Sequence, residues 1–174
     1  AILRDSITAL DRLTEKQKVV ADPGVMRDVF ALYTSETVGA LAILSVRDGA
    51  LVNKNEFILS LSDLTSPSDA LSLIVDYYDN VGDPPKEIML DFSLEEGDGE
   101  LLGEYLSIDA ERRVSVRFPE RGDGRRLCDM ALENAKETAR QNRLAIERED
   151  KSVKRLAELL ALSEIPKRIE AYDI

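Results

Sequence analysis

An α/β fold, with a mixed five-stranded sheet and helices on its faces, is what the pattern of this sequence predicts. Apolar residues recur with a period of two in three consecutive stretches after residue 24. Asp48-Gly49 joins the second stretch to the third as a tight hairpin. From Ser66 onward helical periods alternate with short apolar runs, so the elements read β-β-β-α-β-α-β-α.

Residues 1 to about 19 carry Leu3, Ile7, Leu10 and Leu13 at helical spacing, a narrow stripe that needs a partner. Because the pattern is helical from Ala1, the chain is expected to begin inside a longer helix. Asp22-Pro23-Gly24 breaks it. Arg27 to Thr34 alternates as a first strand, Val38 to Val46 is apolar on both faces in its middle, and Leu51 to Leu61 returns. Ser66 as N-cap, Pro67 and Asp69 open a helix whose stripe is Leu71, Ile74, Val75 and Tyr78. Glu87 to Phe92 reads as a strand, Glu100 to Leu106 as a short helix, and Arg113 to Phe118 as a strand. A turn at residues 119–124 leads into a long helix from about Arg125 to Leu162, with a bend expected near Glu149-Asp150. The last eleven residues, EIPKRIEAYDI, read as a turn followed by the first half of a strand.

Composition excludes several chemistries. The 174 residues include no histidine and one cysteine, Cys128. Zinc sites of His and Cys, Ser-His-Asp triads and Cys-His dyads therefore cannot be built within this chain. Catalysis would have to rest on carboxylates with a divalent metal. The single cysteine fits a reducing cytosol, and no apolar run approaches the ~20 residues that span a bilayer. The net charge of −11 opposes nonspecific affinity for nucleic acid, but it is uneven. Residues 61–104 hold 12 acids against one base, whereas residues 121–155 hold 10 bases against 7 acids. One end of the molecule is thus suited to phosphate and another to solvent or a basic partner.

The element order is that of the ribonuclease H fold, so its carboxylate positions can be sought. Such a site wants an Asp in the first strand, an acid near the first helix, an Asp ending the fourth strand and an acid in the last helix. Asp91 sits near the end of the fourth strand, and Asp129 and Glu133 lie on the last helix. Asp69 and Asp76 are the helical candidates, but the first strand offers only Asp28 at its entrance. Two readings follow: a self-standing metal-dependent nuclease using Asp28, Asp91 and Glu133, or an inactive scaffold that keeps these carboxylates as vestiges. Separately, Arg121, Arg125 and Arg126 flank Gly122 and Gly124 before a helix N-terminus, an arrangement able to hold a phosphate. Lys151, Lys154, Arg155, Lys167 and Arg168 could extend that basic face. A third reading is a protein-interaction module without DNA contact.

Four stretches in order resemble the UvrC family of excision-repair nucleases. AILRDSITAL resembles the second half of the family's UvrB-binding helical hairpin. LSVRDGALVNKNEFIL resembles its "vRdG" hairpin, RFPERGDGRRLCDMALENA its "P.rG…L..lA..NA" segment, and IPKRIEAYDI its "P.rIE.fDiS" strand. The resemblance covers the whole chain. It implies a region between a nuclease that makes the 3′ incision, before Ala1, and a ribonuclease H-like nuclease that makes the 5′ incision, opening at Arg168, with helix-hairpin-helix DNA-binding motifs following. The layout expected is residues 1–20 as half of the UvrB-binding hairpin, 25–148 as a central ribonuclease H-like domain without activity, and 149–174 as a linker helix and the first strand of the next nuclease. UvrB would be met through Leu3, Arg4, Asp5, Ile7 and Leu10. Asp173 would be the first carboxylate of the downstream site, binding Mg or Mn in the intact protein, while this segment alone would need no cofactor. The remaining partner implied is damaged DNA, in the cytoplasm and away from membranes.

Overall fold

The computed structural model describes residues 25–64, 67–166 and 168–170. The predicted N-terminal helix with Leu3, Arg4, Asp5, Ile7 and Leu10 lies outside the described residues, as do Ser66, Lys167 and Asp173. Met26–Thr34 (β1), Gly39–Arg47 (β2) and Ala50–Leu59 (β3) form an antiparallel meander. Glu87–Leu90 (β4) pairs parallel with β1, and Ser115–Arg117 (β5) pairs parallel with β4. The sheet order β3-β2-β1-β4-β5 is therefore mixed, with the ribonuclease H arrangement expected from the element order.

Local chemistry explains the joints. Asp48 (φ 52°) and Gly49 (φ 74°) both take left-handed backbone, as the two-residue hairpin turn between β2 and β3 requires. Val52 is the extra residue of a bulge, since Ser45 pairs with Asn53 and Val46 with Leu51. β3 is an outer strand, and its middle run Asn53-Lys54-Asn55-Glu56 suits an edge that must not attract another chain.

Among the described residues three α-helices pack on the sheet: Pro67–Val81 (α1), Asp98–Asp109 (α2) and Gly122–Leu159 (α3). Side chains alternate across each strand, so the two faces of the sheet bury different sets. Phe30, Leu41, Ile43, Ile88 and Leu90 pack against Ile74, Tyr77 and Tyr78 of α1 and Leu102 and Leu106 of α2. Val29, Ala31, Leu44, Val46 and Met89 pack against Leu127, Cys128 and Ala131 of α3. Farther along α3, Ala135 and Ala139 meet Ala40 and Ala42, where small side chains on both partners allow close approach. β2 is buried from Gly39 to Val46, which explains why its sequence is apolar on both faces.

Several elements differ from expectation; α2, for one, spans Asp98–Asp109 where Glu100 to Leu106 is predicted. β4 stops at Leu90 and β5 shrinks to three residues, because beyond them the chain leaves the ladder for the ends of α2 and α3. α3 starts at Gly122 instead of Arg125; Gly122 supplies φ 74° where the extended Arg121 turns into the helix. The bend near Glu149-Asp150 is absent, and α3 runs unbroken for 38 residues, about 57 Å. No Gly or Pro lies between Gly124 and Pro166 to kink it. Among the described residues no helix is long and apolar enough to cross a membrane.

Candidate functional site

The parallel pair β1–β4 sets the geometry. Asp91 follows β4 directly, and its backbone N–H donates to the Phe30 carbonyl at 2.9 Å. Phe30 and Leu90 are register partners that face α1, so the next residues, Ala31 and Asp91, face α3. There the Asp91 side chain, 7% exposed, has Oδ1 2.9 Å from Nη2 of Arg125. That contact is an ion pair and not a hydrogen bond, since Oδ1 is buried with no hydrogen-bond partner. The same Nη2 lies 2.6 Å from Oδ1 of Asp129, one helical turn on, and Arg125 Nε donates to that oxygen at 2.8 Å. One guanidinium thus bridges two carboxylates at the C-terminal end of the parallel strands. Burial raises the Asp91 carboxyl above the ordinary carboxylate range, and the Arg125 charge only partly offsets this. Cys128 beside it is fully buried, and burial followed by the Asp91 charge pushes its thiol up to about 11. It is a core side chain with no thiolate character at neutral pH.

Asp28 stands on the other face. Its carboxylate, 4% exposed, accepts from Tyr78 Oη at 2.9 Å and from Arg47 Nη1 at 2.8 Å. Tyr78 is raised far above the ordinary phenol range by burial first and then by the Asp28 charge, so it stays a donor. Glu133 lies on the exposed side of α3, where it pairs with Lys136 at 2.7 Å. Asp28, Asp91 and Glu133 therefore do not converge, and among the described residues no group of three carboxylate, cysteine or histidine side chains is placed to hold a metal ion.

The fold family implies a divalent metal pair at the end of β1 and β4, and the residues present do not fit one. Ala31 occupies the first-strand position facing Asp91, and a guanidinium fills the space between Asp91 and Asp129. The sequence singled out Asp28 and Asp91 without showing that strand parity separates them. It also missed Arg47 and Tyr78, the partners of Asp28, which are joined to it only by tertiary structure.

The basic residues divide. Arg121 is exposed at the start of α3 with no ion-pair partner among the described residues. Arg126, 78% exposed, pairs with Asp123 at 3.2 Å, while Arg125 is engaged as above. Arg148, Lys151, Lys154 and Arg155 are exposed along the second half of α3, and Arg168 pairs with Glu170.

Comparison with known proteins places this geometry in a family. The "UvrC Ribonuclease H-like domain" matches residues 26–142, from the first residue of β1 into α3. The chain belongs to that family. Its curated relatives include "UvrABC system protein C" of Caldanaerobacter subterraneus subsp. tengcongensis, 36% identical over the whole chain. The proteins of the same name from Alkaliphilus oremlandii and Desulfotalea psychrophila are 35% and 39% identical over 98% of the chain. The chain spans 28% of the length of each of these relatives. A crystal structure of human ENDOV aligns over 61% of this chain and 56% of its own, at 14% identity and a TM-score of 0.30, too low to add to the fold assignment.

Proposed function

We propose that this region is a non-cleaving ribonuclease H-like scaffold at the centre of a UvrC-type excision-repair protein. The observation that supports this reading is the Arg125 guanidinium between Asp91 and Asp129, with Ala31 in the first-strand position. A charge that cannot leave neutralises the carboxylates that would otherwise recruit a metal. The alternative, a nuclease using Asp28, Asp91 and Glu133, is disfavoured by their separation. On this reading the intact protein incises damaged DNA on both sides of a lesion together with UvrA and UvrB. UvrB is met through the segment containing Leu3, Arg4, Asp5, Ile7 and Leu10. The 5′ incision belongs to the domain that Asp173 opens, with Mg or Mn as its ion. Arg121 and Arg126, together with Lys167 and Arg168, are the side chains proposed to touch the DNA backbone, and α3 is the strut that spaces the domains.

A plasmid-nicking assay tests the reading. The 174-residue chain with Mg²⁺ or Mn²⁺ is expected to nick no faster than metal alone. In the intact protein Asp91→Ala is expected to keep incision within about twofold, while Asp173→Ala abolishes the 5′ cut. Nicking by the isolated chain that Asp91→Ala removes would overturn it.

A further inference from the structure

α2 is seated on two sides. Leu102 and Leu106 enter the core, and toward β5 the Ser107 Oγ accepts from the Val114 N–H at 2.8 Å. A Cβ at Gly103 would stand 3.1 Å from the Val114 carbonyl, so glycine lets the helix lie this close to the strand. These contacts fix which side of α2 faces outward. That side is not polar: Leu101, Tyr105 and Ile108 are 62%, 49% and 81% exposed. Their spacings of four and three place them within about 60° of one another, over two turns or about 10 Å of helix. A surface helix ordinarily carries one apolar face. α2 carries two, one in the core and one exposed.

Acids border this ridge. Glu100 and Glu104 are exposed on one flank, and on the other Asp79 of α1 accepts from Tyr105 Oη at 3.4 Å. α2 holds four acids and no base. Neither Glu100 nor Glu104 has an ion-pair partner among the described residues. The acidic excess of residues 61–104 is thus displayed beside an apolar stripe, not spread over a uniformly solvated surface.

We infer that this ridge is a docking surface for a basic amphipathic helix of a protein partner. The partner lays its apolar stripe along Leu101, Tyr105 and Ile108, and its flanking Lys or Arg side chains meet Glu100, Glu104 and Asp79. Charge complementarity selects this occupant. The acidic border repels nucleic acid, and a second copy offering the same face would set acid against acid.

The test uses the 174-residue chain and a fluorescein-labelled, blocked peptide of Leu, Lys and Ala, followed by anisotropy. The peptide has about 15 residues, enough to form a helix on binding, with its Leu on one stripe. One control peptide scrambles the same residues so that the stripe is lost; another replaces Lys by Glu. Saturable binding of the first peptide is expected, weakened about fivefold to tenfold by Glu100→Lys with Glu104→Lys and at least about tenfold by Leu101→Ser with Ile108→Ser. All four side chains are exposed, so both variants should keep the fold by circular dichroism. Glu149→Lys with Asp150→Lys, an equal charge change on the second half of α3, should leave binding within about twofold. Amide NMR shifts should centre on residues 100–108. Equal binding of the scrambled peptide, an equal loss from the α3 change, no effect of either ridge variant, shifts confined to other surfaces, or no saturable binding would each overturn the proposal. So would self-association of the chain in sedimentation that Leu101→Ser with Ile108→Ser abolishes, since it would assign the ridge to a second copy.

Discussion

Two effects compete at Asp91: burial favours its neutral carboxyl, and the Arg125 guanidinium 2.9 Å away favours the ionised one. Burial wins at Asp91, and its carboxyl is raised. A carboxyl raised on folding contributes stability that is full below its unfolded pKa and lost as pH rises through the folded one. Ionised Asp91 therefore opposes folding at neutral pH. Asp91→Asn should raise the thermal midpoint at pH 7, and the gain should vanish near pH 3; a lower midpoint at pH 7 would mean that the Arg125 pair outweighs burial. Asp28 holds partners in place, and removing it strands Arg47 and Tyr78. Asp28→Ala should cost about 3 kcal/mol in urea unfolding, and Tyr78→Phe about 1 to 2 kcal/mol. The sequence could mark Asp28 as notable but not as structural. Its partners are 19 and 50 residues away, and only folding brings them together.

Elements were more legible than residues. The Asp48-Gly49 turn was readable because its chemistry is local, and Gly49→Ala should cost about 1 kcal/mol in thermal unfolding, since alanine resists φ 74°. The three-residue β5 was not readable at its true length, because the same alternating letters continue past the point where the ladder ends. α3 shows what a period does and does not reveal. Its buried residues are Leu127, Cys128, Ala131, Ala135 and Ala139, then none until Ala157. A helix keeps its period whether or not anything covers its stripe. Hydrogen exchange should therefore separate the two halves: amides of residues 128–139 should exchange with the global stability of the fold, and those of 143–155 orders of magnitude faster. Uniform protection along α3 would show that its second half is packed in solution.

At the scale of the molecule, the mixed sheet followed from the order of the elements, because three alternating segments and then strand-helix units leave few topologies. Whether the carboxylates meet did not follow. Asp28 and Asp91 are separated by the parity of positions along β1 and β4, and that parity needs the register Phe30 with Leu90 to be read. The sheet keeps the ribonuclease H order while Arg125 holds Asp91 and Asp129, which leaves no open metal site between them. Calorimetric titration of the 174-residue chain with Mn²⁺ tests it most directly. The expected result is no saturable site tighter than about 1 mM. A site of about 10 μM or better that Asp91→Ala abolishes would contradict it.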